Sequence, residues 1–485
     1  MLHDELKAYI DSAPIPMHMP GHKRNPDLAK AMPLFEKDIT EVDRFDSLLH
    51  PAASSPLEKL RQDLTSLLGY PKVYLGTNGS TGLLLSAIRA CCNPGEKIIL
   101  MRNCHVCCFN AAEVFGLETV VVDTTYISHN GVRIMPGAVS YEQIEKAIAD
   151  NPDAKAMVLV TPTYEGVISR IDKVYEMCKA SGIKLIVDAA HGAHLGVQGA
   201  FVNTATGSAS SKNNAGDMIV MSLHKTLLGP TSTAVLALNG NDEEVSRLSE
   251  VVDRTFTYFQ TSSPSFALLE GVSYMVQYML DNQDAIIKWE QNVLRVRKEL
   301  LKAQYSGFVL LDEAIFDNEE LDCAGEKNIC LDPSKLVIIS NSSTGIASHL
   351  KEKHNIELEA TFDSHLIAMT GLGDSCENLE AFRDGLLDSS KKLNLKSLTD
   401  FESLDASPKL QVEGARMATK NVSLLKPNDL AATRLVPVEK SVGLISAKHL
   451  YLYPPGIPIV LRGEVIDEER AEALSKAFDE ILCLI

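Results

Sequence analysis

The stretch Met218-Ile219-Val220-Met221-Ser222-Leu223-His224-Lys225 is an apolar run that ends abruptly in Ser, His and Lys. An amine desolvated just past a buried strand titrates far below its solution value, and lysine amines form Schiff bases with carbonyl compounds. Alone, the feature is weak, because most strands end in polar residues. Other runs add to it. Val73-Tyr74-Leu75 leads through Gly76-Thr77-Asn78 to Gly79-Ser80-Thr81-Gly82. These small and hydroxyl-bearing residues sit where a helix starts, so they either cradle a phosphate on free backbone N–H groups or simply cap the helix through Ser80. Lys97 to Met101 precedes Asn103 and His105. That imidazole suits stacking on a flat ring or general acid work, or is an ordinary polar residue. Lys184-Leu185-Ile186-Val187 ends in Asp188-Ala189-Ala190-His191. Asp188 reads either as a turn carboxylate or as the charge that keeps a pyridinium nitrogen protonated.

These residues need a frame that brings them together. The runs are short and β-branched, with Ala156 to Val160 before Thr161-Pro162-Thr163-Tyr164 as another, and helical-length segments separate them. That pattern predicts βαβ units and an α/β fold with a mostly parallel central sheet. Ligands of such sheets bind beyond the carboxyl ends of the strands, where Ser80, His105, Asp188, Ser222, His224 and Lys225 would gather. A phosphate cradle, an imidazole, a carboxylate and a lysine on one edge fit pyridoxal 5'-phosphate (PLP) better than a nucleotide.

The chain resembles the Orn/Lys/Arg decarboxylase family of fold-type I PLP enzymes in its short bacterial form. The matches run over nearly the whole chain: His18-Met19-Pro20-Gly21-His22-Lys23, Gly79-Ser80-Thr81, Arg102-Asn103-Cys104-His105, Pro162-Thr163-Tyr164-Glu165-Gly166, Asp188-Ala189-Ala190-His191-Gly192-Ala193-His194, Ser222-Leu223-His224-Lys225 and Tyr453-Pro454-Pro455-Gly456-Ile457-Pro458. The ordered set is specific although each member is not. The resemblance implies an aspartate-aminotransferase-like PLP domain with a smaller C-terminal α+β region. It implies that Lys225 carries PLP as a Schiff base, that His105 stacks on the ring, and that Asp188 pairs with the pyridine nitrogen. Phosphate contacts fall on Ser80, Thr81, Ser222 and His224, and the cofactor-binding set extends to Gly79, Ala190 and His191. Two departures stand out. Val106-Cys107-Cys108 follows His105 where Lys and Ser are common, and Arg462 replaces the usual proline before Gly463-Glu464.

The activity so implied is PLP-dependent decarboxylation of arginine, lysine or ornithine to carbon dioxide and an amine of the kind used in polyamine synthesis. A same-fold aminotransferase or lyase is the runner-up, and a non-catalytic PLP-binding homologue a third reading. Asp43 and Asp46 in the N-terminal arm, and Glu464 near the C-terminal Pro-Pro-Gly segment, are candidates for meeting a distal cationic group, or else solvated charges. The resemblance implies a homodimer or higher homo-oligomer, with Gln260-Thr261-Ser262-Ser263-Pro264 reaching the partner's phosphate.

Length and composition agree with a large enzyme. The 485 residues can bury a substantial core, and 64 acidic against 46 basic residues give a net charge of −18, which disfavours nucleic acid and anionic membranes. Acids near the start, in Met1-Leu2-His3-Asp4-Glu5, do not read as a secretory signal, so a cytoplasmic protein is expected. The ten cysteines, among them Cys104, Cys107 and Cys108, match no paired zinc knuckle. No metal is expected, and most thiols should be small buried hydrophobes. Residues 1–50 read as an arm, 51–275 as the PLP domain, 276–305 as a connecting helix and 306–485 as the C-terminal region. Within these, Asn203 to Gly216 reads as an exposed loop and residues 388–428 as a linker.

Overall fold

The structure is a computed structural model that describes residues 1–12, 38–39, 45–129, 132–201, 216–303, 307–313, 330–393, 411–413, 420–422, 432–453 and 455–484. The His18-to-Lys23 motif, Asp43, residues 203–215 of the expected loop and Pro454 lie outside them.

In chain order, the elements that bear on the site begin with β1 (Lys72–Gly76), α1 (Gly79–Cys91), β2 (Lys97–Met101), α2 (Val106–Phe115), β3 (Glu118–Val122), β4 (Ala154–Val160) and β5 (Lys184–Asp188). They continue with β6 (Met218–Ser222), β7 (Ala234–Leu238), α3 (Phe266–Asp281), α4 (Ala285–Ala303), β8 (Lys335–Ile339) and β9 (His365–Met369). Last come β10 (Thr433–Pro437), β11 (Leu450–Tyr451), β12 (Pro458–Val460), α5 (Glu468–Ser475) and β13 (Glu480–Leu484). Two compact units form. The first holds Met1–Ala87, Ala189–Leu311 and Asp332–Ser403; the second holds Ile88–Asp188, Asp312–Leu331 and Leu404–Ile485.

In the first unit β1, β7 and β6 pair antiparallel in that order, with Gly76 opposite Ala234 and Ala234 opposite Ser222. Every residue of β6 and β7 is buried, which is why both are continuous apolar runs rather than alternating ones. A second antiparallel set packs β8 against β9. The N-terminal arm begins as a helix, Leu2–Asp11, that buries Leu2 and Leu6 and stacks His3 on Tyr274 at 4.2 Å.

The single helix expected over residues 276–305 is two helices, α3 and α4. Asp281-Asn282-Gln283-Asp284 breaks it. Asn282 leaves helical geometry at φ −122°, ψ 63°, and its side chain donates to the Tyr278 carbonyl at 2.9 Å. Such local bonding competes with helix propagation. The expected linker at 388–428 begins inside a helix, Cys376–Lys392, and carries two short strands, Gln411–Glu413 and Lys420–Val422.

In the second unit β3, β2, β4 and β5 run parallel, as the βαβ reading requires. Its C-terminal part joins β10 to β13 and β11 to β12 in antiparallel pairs around Val436, Leu450, Val460, Ile466, Leu474 and Ile481. Across the two units the central strands are thus mixed in direction. No helix among the described residues is long and apolar enough to cross a membrane.

Candidate active site

Two groups of polar residues are built at the ends of these strands, one in each unit. In the first unit β6 delivers Ser222, and the chain then turns tightly back into β7. Leu223 N–H donates to the Thr233 carbonyl at 3.0 Å and Gly229 N–H to the Leu223 carbonyl at 3.1 Å. A Cβ at Gly229 would lie 2.7 Å from that of Leu223, so the turn closes only around a glycine. It holds His224 and Lys225 partly buried. His224 Nδ1 lies 3.0 Å from the Thr233 carbonyl, so Nδ1 bears the proton donated to it. Burial, and then the neighbouring Lys225 charge, pull this imidazole below its usual range although the Thr233 bond works the other way.

Ser80 and Ser222 converge, their Oγ atoms 2.5 Å apart, at the N-terminus of α1. Gly79 has φ +71° with open space where a Cβ would stand, and Thr81 is exposed. The first-turn amides have no partner inside the helix. Hydroxyls and helix-start N–H groups around open space are the donor set a phosphate requires.

His191 lies between two lysines. Lys225 Nζ is 3.0 Å from its Nε2 and Lys335 Nζ is 3.1 Å from its Nδ1. Burial first, and then the charges of Lys335 and Lys225 with those of His194 and His224, push this imidazole well below its ordinary pKa. Ala190 beside it is buried. His194, the next histidine of the motif, turns the other way, into the fully buried pair His194 Nε2–Asp332 Oδ1 at 3.1 Å.

The second unit holds Asp188 and His105. Asp188 closes β5 and is buried. It adds to the effects that keep the Cys108 thiol far above its ordinary range, behind the hydrogen bond with Cys104 and burial. Cys104, Cys107 and Cys108 are all buried. His105 is the N-cap of α2, its Nδ1 accepting from Cys107 N–H at 3.2 Å; the ring proton therefore sits on Nε2. Gly456 packs on this ring. Val106 N–H donates to the Gly456 carbonyl at 2.9 Å, and a Cβ at Gly456 would meet His105 Nε2 at 2.9 Å.

Both departures from the family pattern lie here. Val106, Cys107 and Cys108 fill the buried first turn of α2. Arg462 pairs with Glu113 of α2, which His449 Nε2 also approaches at 3.3 Å. Glu464 is engaged too. Its two oxygens face the Arg102 guanidinium at 3.1 Å each, one of them accepts from Leu461 N–H at 2.8 Å, and both members of the pair are 9% exposed. Asp46 in the first unit accepts from Ala52 N–H at 2.5 Å and so braces a turn.

The structure therefore brings Gly79, Ser80, Thr81, Ala190, His191, Ser222, His224 and Lys225 into the first unit, and Asp188, His105 and Glu464 into the second. Sequence reasoning missed Lys335 and Asp332. Asp332-Pro333-Ser334-Lys335 stands before the apolar run Leu336-Val337-Ile338-Ile339, and a lysine at the start of a strand reads as a solvated end. Its burial, at 2% exposure, follows only from the fold.

Residues 1–376 match the Orn/Lys/Arg decarboxylase major domain and residues 427–478 the C-terminal domain of the same family. The chain belongs to the Orn/Lys/Arg decarboxylase family, whose members include amino-acid decarboxylases. An arginine decarboxylase of Halalkalibacterium halodurans is 26% identical over 477 residues, covering 95% of this chain and 90% of that one. The arginine decarboxylase of Bacillus subtilis is 24% identical, covering 99% and 93%. Among solved structures, the lysine decarboxylase of Francisella novicida superposes with a TM-score of 0.77 at 17% identity, over 99% of this chain and 78% of that one. A ureidoglycine-glyoxylate aminotransferase from Bacillus subtilis shares the fold with a TM-score of 0.52 at 14% identity, covering 72% and 86%.

Proposed function

We propose that this chain decarboxylates a basic amino acid, namely arginine, lysine or ornithine, to its amine and carbon dioxide, with PLP as cofactor and as a cytoplasmic homodimer. The observation that carries this reading is Lys225, held at a strand end 3.0 Å from His191 beside the paired hydroxyls of Ser80 and Ser222, in a chain of this family. Ser80, Thr81 and Ser222 fit the phosphate, with His224 following on the same turn; Gly79, whose N–H already donates to the Ser232 carbonyl at 2.8 Å, leaves the space open. Lys225 Nζ would hold the aldehyde carbon. Asp188, a buried carboxylate, would keep the pyridine nitrogen protonated, and His105 would lie against the ring. When bound, PLP supplies an electron sink for the electron pair that carbon dioxide leaves behind.

The chain's own residues then choose among outcomes. They would hold the substrate's α-carboxylate in one fixed orientation, which is a positioning effect. A proton must return to the α-carbon, from Lys225 Nζ or from His105; in the latter case Nε2 is the donor, since Nδ1 is occupied by Cys107 N–H. His191 orients the lysine. The relatives named arginine decarboxylase favour a guanidinium-bearing substrate.

The test is a product assay on purified protein with arginine, lysine and ornithine. Amine and carbon dioxide in equal amounts with no keto acid are expected. Stoichiometric keto acid with retained carboxylate would establish an aminotransferase instead.

A further inference from the structure

Two helices of the first unit, Ser343–His354 and Cys376–Lys392, pack against each other and bring three ligand-bearing side chains to one point. His349 Nε2 lies 2.9 Å from Asp388 Oδ2, and His354 Nε2 lies 3.2 Å from the same oxygen. The two nitrogens and the oxygen are all within 4.8 Å of one another. None of the three residues belongs to the candidate active site.

The backbone shapes this meeting point. His354 is the last residue of its helix, which Asn355 ends in the left-handed region at φ 54°. On the facing helix Gly385 stands one turn before Asp388, where a Cβ would come 3.2 Å from His354 Cγ and 2.9 Å from Leu350 Cδ2. The bare glycine therefore lets the imidazole lie close against the helix that carries the carboxylate. All three side chains are partly buried, so their ends are held yet reachable from solvent.

With its proton on Nε2, each ring donates to Asp388. Moving each proton to Nδ1 turns both Nε2 atoms into lone-pair donors without changing the charge of either ring. Two imidazoles and a carboxylate then aim at one place. Ligand atoms about 2.0–2.2 Å from a zinc ion stand roughly 2.8–3.6 Å apart, according to the angle between them. Both separations from Asp388 Oδ2 fall in that range. The donor set also selects the ion, because calcium and magnesium demand oxygen ligands whereas imidazole suits zinc.

We propose that His349, His354 and Asp388 form a zinc(II) site that ties the two helices together, with water in the fourth tetrahedral position. The site uses no cysteine and is independent of the PLP reading. Its ligands carry no local signature, since the histidines are five apart rather than at the i, i+4 spacing that puts two on one helix face, and Asp388 follows His354 by 34 positions.

The experiment is zinc titration of the full-length chain after removal of metal with a chelator, read by equilibrium dialysis and by thermal unfolding. One zinc ion should bind at this site and raise the unfolding midpoint. It should also shield His349 and His354 of the wild-type chain from diethyl pyrocarbonate, as read by peptide mapping. With 13 histidines and 10 cysteines in the chain, variants separate this site from zinc held elsewhere. His354→Gln and Asp388→Asn should each weaken the binding by about a hundredfold or more, since losing an outer partner of a ligand already costs roughly 10–100-fold. A wild-type chain that binds no zinc, or binds it while both histidines stay open to the reagent, overturns the proposal whether or not the variants fold. So does undiminished zinc binding by a folded variant.

Discussion

Gly456 lies against the edge of the His105 imidazole, so close that a Cβ would stand 2.9 Å from Nε2 and 3.0 Å from Cδ2. Its φ of +80° is a conformation that L residues with side chains rarely adopt. Gly456 and the histidine that follows β2 are thus one construction. Gly456→Ala should combine backbone strain with a displaced ring, costing about 1–3 kcal/mol of stability. Turnover should drop by about tenfold or more, since the ring would leave its place. Urea unfolding and steady-state kinetics measure the two effects, and turnover unchanged in a folded variant would remove His105 from the chemistry.

Borohydride treatment of PLP-loaded protein should fix the cofactor on Lys225, as read by peptide mapping. Label on another lysine, or no label with PLP present, would refute the central assignment.

Asp188→Asn keeps the shape of the side chain at the end of β5 and removes its charge. Turnover should fall at least about a hundredfold, roughly 3 kcal/mol of barrier, while PLP still binds. Near-normal turnover would show that another group supplies the counter-charge.

Glu464 meets Arg102 through both carboxylate oxygens in a buried pair. Glu464→Gln leaves the guanidinium short of its counter-charge and should destabilise the fold by roughly 2 kcal/mol or more. KM for the basic amino acids should change little. A tenfold rise in KM with unchanged stability would instead put this carboxylate on the substrate.

His365, buried at the start of β9, is pushed down by burial to about 4. Its folded pKa lies below the ordinary value of about 6.5 for the unfolded chain, so unfolding takes up a proton between those limits. Stability is therefore present in full above about pH 6.5 and is lost as pH falls towards 4. From pH 7 to pH 5 this group alone costs about 2 kcal/mol. His191, also depressed, acts in the same direction. Urea titrations at both pH values should show the loss, and His365→Gln should reduce it.

The parallel strands, the lysine after β6 and the glycine-hydroxyl helix start are legible in the sequence because each is a local pattern of few residues: an apolar run, then its polar terminus. Strand β7 is not, since Ala234-Val235-Leu236-Ala237-Leu238 carries no chemistry to draw notice, yet it sets the turn that holds Lys225. The break between α3 and α4 is masked by apolar spacing that continues across it. Glu464 shows the harder limit. Its charge is visible in the sequence, but its partner is 362 positions away, and no local pattern says that a carboxylate is already taken. Lys335 is hidden for the same reason, as its neighbour His191 is 144 positions distant.

The separation between Arg102 and Glu464 also sets a clock. A ribosome adding about 5–20 residues per second exposes Arg102 roughly 20–70 s before its carboxylate partner exists. Through that interval the segment around His105 has neither the glutamate that will neutralise its arginine nor the Gly456 turn that will seat its imidazole. Unit two therefore closes late: a stretch made 362 residues after Arg102 completes the segment around it. A nascent or truncated chain ending before Gly456 should be a substrate for chaperones and proteases rather than a half-working enzyme.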